Sequence, residues 1–299
     1  SPAEGDRFGT DVAICETHAI VGALTLHEAY SSRGAAFVYE ISEGTSSMEP
    51  AVLQDTENDD YGIFGEAVAI SSRYAVVGEP SFSSLPEMPS VVHVYERVGE
   101  NKWRRTALLS DPGPLDGSTF GESCAIEGDY ILTGDWVFYR GEEGSWSSRA
   151  RLQFPEERPL GTSRDYGEVS ALSEEYAAFG TRSHRHTGAV AVFHRTGINQ
   201  WDSGTIVMAA DASVGDSFGS AVALSDERLV VIASGDDEGG YSSGSMYIYR
   251  NAGPTSWELA QKIPAQGGEE GSYVSFFRSI DLEGESILAE IAGNGRTVE

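Results

Sequence analysis

The amino-acid sequence predicts an all-β fold, a β-propeller of four-stranded antiparallel blades, and three observations carry that expectation. An FG-like pair recurs six times, as Phe8-Gly9, Phe64-Gly65, Phe120-Gly121, Tyr166-Gly167, Phe218-Gly219 and the degenerate Phe276-Phe277. Fourteen positions after the first residue of four of these pairs stands a glycine: Gly22, Gly78, Gly134 and Gly180. Ile232 and Glu290 hold that place in the last two units. Spacing is constant within a unit and varies between units about a mean near 54 residues, a period that suits a propeller blade.

Each unit reads as four strands. The first runs from the FG pair and sets a small residue at its sixth position, Ala13, Ala69, Ala125, Ala171 and Ala223, then Asp281 in the last unit. Small side chains suit an innermost strand, where blades crowd round a central axis. The flanking Val12 and Ile14, like Val222 and Leu224, are expected to point into the packing between blades. A four-residue turn leads to the second strand, "AIVGA", "AVVGE", "ILTGD", "AAFGT", "LVVIA" and "ILAEI". The third, for example "GAAFVYE", "SVVHVYE" and "GSMYIYR", is rich in the β-branched and aromatic residues that strands favour. The fourth begins near Trp103, Trp146, Trp201 or Trp257, with Met48 in that role in the first unit.

Glycine and proline are spread evenly, so no linker divides the chain. The expectation is one domain over 1–299, with repeats starting near 8, 64, 120, 166, 218 and 276. Six blades are recognisable and the last is incomplete, which leaves a six- or seven-bladed propeller.

The FG head, "IVGA" or "VVGEP" fourteen residues on, "GAVAVF" and the tryptophan strand together resemble the FG-GAP repeat. That family is best known from the propeller of integrin α-subunits and is common in secreted and surface proteins. The resemblance covers nearly the whole chain and implies a propeller in an extracellular or cell-surface setting. The integrin-type calcium loop, D-x-D-x-D-G between strands one and two, has no counterpart here. Those turns read "CETH", "SSRY", "EGDY", "SEEY", "SDER" and "EGES", too short and too poor in carboxylates to wrap an ion that takes 6–8 oxygens. No cofactor is expected. Any divalent cation such as calcium should sit outside the integrin-type position.

The 47 acidic residues against 20 basic ones give a net charge of −27. Such a surface repels nucleic acid and anionic lipid, and no apolar run approaches the ~20 residues of a membrane span. Neither nucleic-acid binding nor membrane insertion is expected. A start at Ser1 is what a processed protein or an excised domain would show. Two cysteines make no disulfide framework. Cys124 stands where other repeats have Val12, Val68 and Val222, and reads as a small buried hydrophobe. Cys15 shares a turn position with Ser71 and Ser225, near the surface, and no bond between the two cysteines is expected.

"GDSFG", Gly215 to Gly219, matches the G-x-S-x-G pattern of a hydrolase nucleophile elbow. A strand rather than a helix follows it, all six histidines precede it, and "GDRFG" repeats the frame at the N-terminus. Ser217 is therefore read as part of a repeat marker.

Loops between blades and between strands two and three gather acidic residues on one rim. Within it, Asp55, Glu57, Asp59 and Asp60 alternate oxygens on a curled segment that suits a hard cation, with Asp236 to Glu238 a second such place. His184, Arg185 and His186 form an H-x-H loop that suits a transition metal or an anionic sugar. Together with Asp236, Asp237, Glu238 and Tyr241 they are the candidate ligand-binding residues. Tyr30, Phe82, Trp136 and Tyr241 are candidates for stacking on sugar, although the short "TGDWVF" loop draws Trp136 into a strand.

The function these features favour is a non-enzymatic, extracellular or cell-surface recognition or structural module that binds protein or glycan through its loops. The alternative is a carbohydrate-processing enzyme or a cation-binding domain using the acidic face. The short last repeat leaves a strand edge that native proteins normally cover. A continuation of the chain or a neighbouring molecule is expected to cover it, the latter building a filament-like assembly through self-association.

Overall fold

The computed structural model describes residues 7–24, 34–41, 49–55, 63–81, 89–113, 119–156, 167–240, 242–265, 274–283 and 286–293. The chain divides into two compact units, Ser1–Ala150 and Arg151–Glu299. The first unit carries three sheets in chain order. Blade one is β1 (Phe8–Ile14), β2 (His18–Ala23), β3 (Ala35–Glu40) and β4 (Ala51–Leu53). Blade two is β5 (Val68–Ile70), β6 (Tyr74–Glu79), β7 (Val91–Gly99) and β8 (Lys102–Ser110). Blade three is β9 (Ala125–Glu127), β10 (Tyr130–Thr133), β11 (Trp136–Tyr139) and β12 (Ser148–Arg151).

In the second unit, blade four is β13 (Val169–Leu172), β14 (Tyr176–Thr181) and β15 (Ala189–Gly197), whose outer edge is shared by β16 (Gln200–Trp201) and β17 (Thr205–Val207). Blade five is β18 (Phe218–Leu224), β19 (Arg228–Ala233), β20 (Ser245–Gly253) and β21 (Ser256–Pro264). The sixth sheet has two strands among the described residues, β22 (Val274–Glu283) and β23 (Ser286–Gly293). Every sheet is an antiparallel meander, each strand paired with its neighbour in sequence except β17, which pairs with β15. Trp136 lies in strand β11, as the short loop implies.

The turns between strands one and two are closed by their own backbone. The N–H of Ser71 donates to the Tyr74 carbonyl, Ser173 to Tyr176 and Ser225 to Arg228, each at 2.8 Å. The serine hydroxyl then accepts from the backbone N–H of the same third residue, at 3.0 Å in Ser71, 3.2 Å in Ser173 and 3.1 Å in Ser225. Short side chains that bond back to their own backbone are what a tight turn selects. Cys15 takes this position in blade one, where its N–H donates to the His18 carbonyl at 2.8 Å. It is half-buried against the core, and both cysteines are free thiols. Cys124 packs against the core between blades two and three, and burial pushes its thiol well above the ordinary range.

Apolar side chains lie in layers between successive blades. Val68, Ile70 and Tyr95 of blade two pack on Ile20, Val38 and Leu53 of blade one, and Tyr176 and Val190 of blade four meet Val222 and Leu229 of blade five. Val12 and Ile14 depart from the expectation that they fill such a layer: they are 50% and 52% exposed. Among the described residues of its unit no sheet packs on that face of β1. Their counterparts Val68, Ile70, Val222 and Leu224 are buried.

Three of the four repeat glycines prove to be contacts between blades, while Gly134 turns left-handed, φ +56°, beside Thr119 of its own blade. A Cβ on Gly78 would run into the carbonyl oxygen of Gly121 at the head of blade three. Gly22 faces Gly65, and Gly180 faces Gly219, in the same way. The head glycine of each following blade presents that carbonyl from a left-handed backbone, with φ +91° at Gly65, +81° at Gly121 and +90° at Gly219, a region other residues enter at a cost. Blade five has Ile232 where the others have glycine, and the head that follows it is Phe276-Phe277, without glycine. The two departures are one. The aromatic contacts follow the same rule: His18 meets Trp103 of the next blade at 5.5 Å, Tyr74 meets Trp146 at 5.3 Å and Tyr176 meets Trp257 at 5.3 Å, each edge to face.

Asp11 adds a polar tie between blades one and two. Its Oδ2 accepts the Val68 N–H at 2.7 Å while Oδ1 accepts the Val12 N–H at 2.9 Å. Burial raises its pKa from 3.8 to about 6, against the opposing pull of these two N–H groups. The folded state therefore holds this proton more tightly than the unfolded chain. The stability this group contributes is full below about pH 4 and is lost as pH rises through about 6. In urea melts taken across that window, Asp11→Asn should flatten the pH dependence, and an unchanged slope would contradict the assignment.

Candidate functional site

Two polar clusters form where loops meet the ends of strands, and each grows from the same position in the repeat. The third strand sets a ring opposite a fixed residue of the second: Phe37 opposite Val21, His93 opposite Val77 and Tyr247 opposite Val231. Each ring packs against the head phenylalanine of its own blade, Phe8 at 5.5 Å, Phe64 at 5.0 Å and Phe218 at 5.2 Å. The position is thus built for an aromatic ring, and polar atoms on that ring reach the loops.

In blade five the ring is Tyr247. Its hydroxyl lies 2.9 Å from Asp236 Oδ2 and 3.1 Å from Asp211 Oδ1, and its single proton serves one carboxylate at a time. Lys262, opposite Tyr247 on β21, supplies the missing charge. Its Nζ donates to Asp211 Oδ2 at 2.6 Å, Glu238 Oε2 at 2.6 Å and Asp236 Oδ2 at 3.0 Å, and it stands 5.0 Å above the Tyr247 ring. The three ammonium protons are used. Asp236 is 4% exposed and also accepts the Glu238 N–H and the Ser245 hydroxyl at Oδ1. Burial works to raise the Asp236 pKa, but these donors together with Lys262 outweigh it and hold the carboxyl below its ordinary range. For Lys262, burial works downward, and its acidic partners and Tyr247 overcome it and raise the pKa. Asp216 borders the cluster. Burial, with the nearby Asp236 and Asp237 charges, holds it above the ordinary range, although the Ser213 N–H at 2.6 Å pulls the other way.

In blade two the ring is His93. Its Nε2 lies 2.6 Å from Glu79 Oε2, and its Nδ1 lies 3.5 Å from Arg105 Nη1, which donates to Asp55 Oδ1 at 3.1 Å. Asp55 follows β4, Glu79 ends β6 and His93 lies on β7, so three separated stretches of chain converge.

The residues singled out from sequence are therefore partly united. Asp236 and Glu238 join one cluster, while Asp237 is exposed and accepts the Ser242 N–H at 2.5 Å. Asp55 joins the other. Glu57, Asp59, Asp60 and Tyr241, with Tyr30, Phe82 and Met48, lie outside the described residues. The H-x-H pair does not converge: His184 is buried against Phe154 at 4.9 Å, and His186 is exposed. Burial lowers the His184 pKa, with Glu156 acting against it. Arg185 reaches out to both oxygens of Glu156, at 2.7 and 2.9 Å.

Lys262, Tyr247, Glu79, His93 and Arg105 escaped the sequence reading. The visible signal for two of them is an interrupted repeat. Glu79 stands where three other units have Ala23, Thr181 and Ala233, although blade three has Asp135 there, and His93 breaks the apolar run of "SVVHVYE".

Ser217 sits in a left-handed turn, φ +56°, with its hydroxyl donating to the Gly215 carbonyl at 3.2 Å. Arg7 in "GDRFG" has φ +44°, so the two frames share one turn. The turn is anchored by the Gly215 N–H donating to the His186 carbonyl at 2.8 Å, and β18 follows directly. Ser217→Ala should change stability by no more than about 0.5 kcal/mol. A loss of esterase activity from that change would revive the nucleophile reading.

Among the described residues no helix is long and apolar enough to cross a membrane. The FG-GAP repeat family matches residues 2–39 and 201–249, which span blade one to its third strand and the end of blade four through most of β20. Among solved structures the chain is similar to the Pseudomonas aeruginosa periplasmic gluconolactonase PpgL, at 14% identity and TM-score 0.52 over 90% of this chain and 80% of that one. It is also similar to the Neurospora crassa Pan2 WD40 domain, at 11% identity and TM-score 0.48 over 98% and 91%. A third likeness is the β-propeller domain of the trilobed protease from Pyrococcus furiosus, at 11% identity and TM-score 0.41 over 96% and 95%. No curated protein matches. At such identities a structural likeness speaks to fold alone. The chain folds as a β-propeller, and two stretches of it match the FG-GAP repeat.

Proposed function

We propose that this protein is a non-enzymatic recognition module, extracellular or at the cell surface, that binds protein or glycan partners through its interblade and strand two-to-three loops. One observation carries the reading. The acidic side chains gathered at the best-formed loop cluster are clamped by an internal cation, Lys262 against Asp211, Asp236 and Glu238. A carboxylate held by an ammonium and several other donors is a rigid strut rather than a proton carrier. Asp237 beside it is exposed, as are Arg185 and His186 of the blade-four loop, polar groups on a fixed frame of the kind a recognition surface uses. The extracellular setting is supported by the FG-GAP repeats.

A second reading, a carbohydrate-processing enzyme, is favoured by a single feature: Asp216 is held above and Asp236 below the ordinary carboxyl range within one cluster. Opposed pKa shifts are how paired acids divide acid and base roles. Both carboxyls are buried, and Asp216 also builds its own turn through the Ser213 N–H. A glycan array and a panel of extracellular domains, read by label-free binding, test the first reading. A bound ligand whose affinity falls at least tenfold in Asp237→Asn or Arg185→Ala supports it, and binding indifferent to both changes removes these loops from the account.

A further inference from the structure

We propose that Asp55, Glu79 and His93 form a binding site for a divalent transition-metal ion of the Zn2+ class. The three donors lie with their ligand atoms within 4.8 Å of one another, and all three residues are buried. Glu79 at the end of β6 and His93 near the start of β7 are held by the sheet register, and Asp55 reaches them from the link after β4. An imidazole nitrogen with two carboxylates is a mixed donor set. It suits Zn2+ and its neighbours and is poor for calcium, which takes oxygens only.

The repeat shows that the fold does not require these residues. Blade one fills the His93 position with Phe37 and the Glu79 position with Ala23, and blade five uses Tyr247 and Ala233. Only a ring is needed there for packing on the head phenylalanine. Blade two instead places an imidazole and a carboxyl group there, and a second carboxyl arrives from the link that precedes the blade. Burying such groups is costly unless a charge or a metal joins them. Arg105 covers the Asp55 side of the cluster. Its side chain is 24% exposed and can swing outward, which opens the route to solvent.

Metal binding needs the lone pair of His93 Nε2, so the ring proton sits on Nδ1 and the ion bonds to Nε2 and to one oxygen each of Glu79 and Asp55. Zn–N and Zn–O bonds of roughly 2.0–2.2 Å require the present 2.6 Å contact between imidazole and Glu79 to open by several tenths of an ångström. Water fills the fourth position.

The test is isothermal titration of Zn2+ into the chelator-treated full chain and three variants, His93→Phe, Glu79→Gln and His186→Ala. His93→Phe keeps the ring that blade one carries at the same position, and Glu79→Gln keeps the side-chain shape, so folding survives in at least one of them. The expected result is one Zn2+ per chain. Affinity should fall in His93→Phe and Glu79→Gln by more than the roughly 10–100-fold that losing an outer partner costs. It should be unchanged in His186→Ala. No Zn2+ uptake by the parent protein, affinity equal to the parent's in the first two variants, or loss in His186→Ala instead would each overturn the proposal.

Discussion

Replacing Lys262 by methionine is expected to lower the unfolding free energy by about 3 kcal/mol, because breaking a partly buried ion pair from one side strands its partners. The magnitude is set by Asp236, whose carboxylate loses its ammonium while remaining enclosed by Tyr247 and Ser245. Asp211 and Glu238 are half-exposed and recover water, so they add little. The pH dependence has a definite sign. Lys262 is among the donors that hold the Asp236 pKa down, and a depressed folded-state value contributes stability above the ordinary carboxyl range that disappears on acidification. The deficit of the variant should therefore be full at neutral pH and shrink as pH falls below about 4. Urea unfolding at neutral pH and at about pH 3 checks both statements. A deficit below 1 kcal/mol, or one that does not change with pH, would show that the ammonium is not the clamp.

Gly78→Ala is expected to cost about 3 kcal/mol or more, at the upper end of what an added methyl costs in a packed interior. The added Cβ meets backbone on one side, the Gly121 carbonyl, and the Ala67 Cβ on the other. Neither can rotate away, so blades two and three must separate to admit it. Gly141→Ala is the matched control, since a Cβ there meets nothing within 4 Å, and its effect should stay near zero. Equal melting temperatures for the two variants would mean that the fourteen-residue spacing is not an interblade contact.

These two cases mark where the sequence could be read and where it could not. The glycine spacing and the serine-capped turns are written at fixed offsets, because each reports a contact repeated in several blades. Gly22, Gly78 and Gly180 announce the same approach to the next head. The Lys262 clamp is written once. It needs the register that sets Tyr247 opposite both Val231 and Lys262, together with a link residue, Asp211, 51 positions away. In the acidic run beginning at Asp55, Glu57 and Asp59 lie outside the described residues, and the fold brings Asp55 to Arg105 and the buried pair Glu79 and His93. Composition could count the acids but not pair them. The exposed Val12 and Ile14 have a simpler cause, for alternation identifies an apolar face without saying what lies opposite it.

The central claim is that the blade-five acidic cluster is a structural clamp beneath a recognition surface. The most direct measurement is turnover on a panel of glycosides and sugar lactones by the parent protein, Asp216→Asn and Asp236→Asn, with melting curves on the same samples. The account expects no turnover above the uncatalysed rate in any of them, and a lower melting temperature in Asp236→Asn. Turnover by the parent protein that is abolished in Asp216→Asn or Asp236→Asn at unchanged melting temperature would contradict it and make the pair an active site.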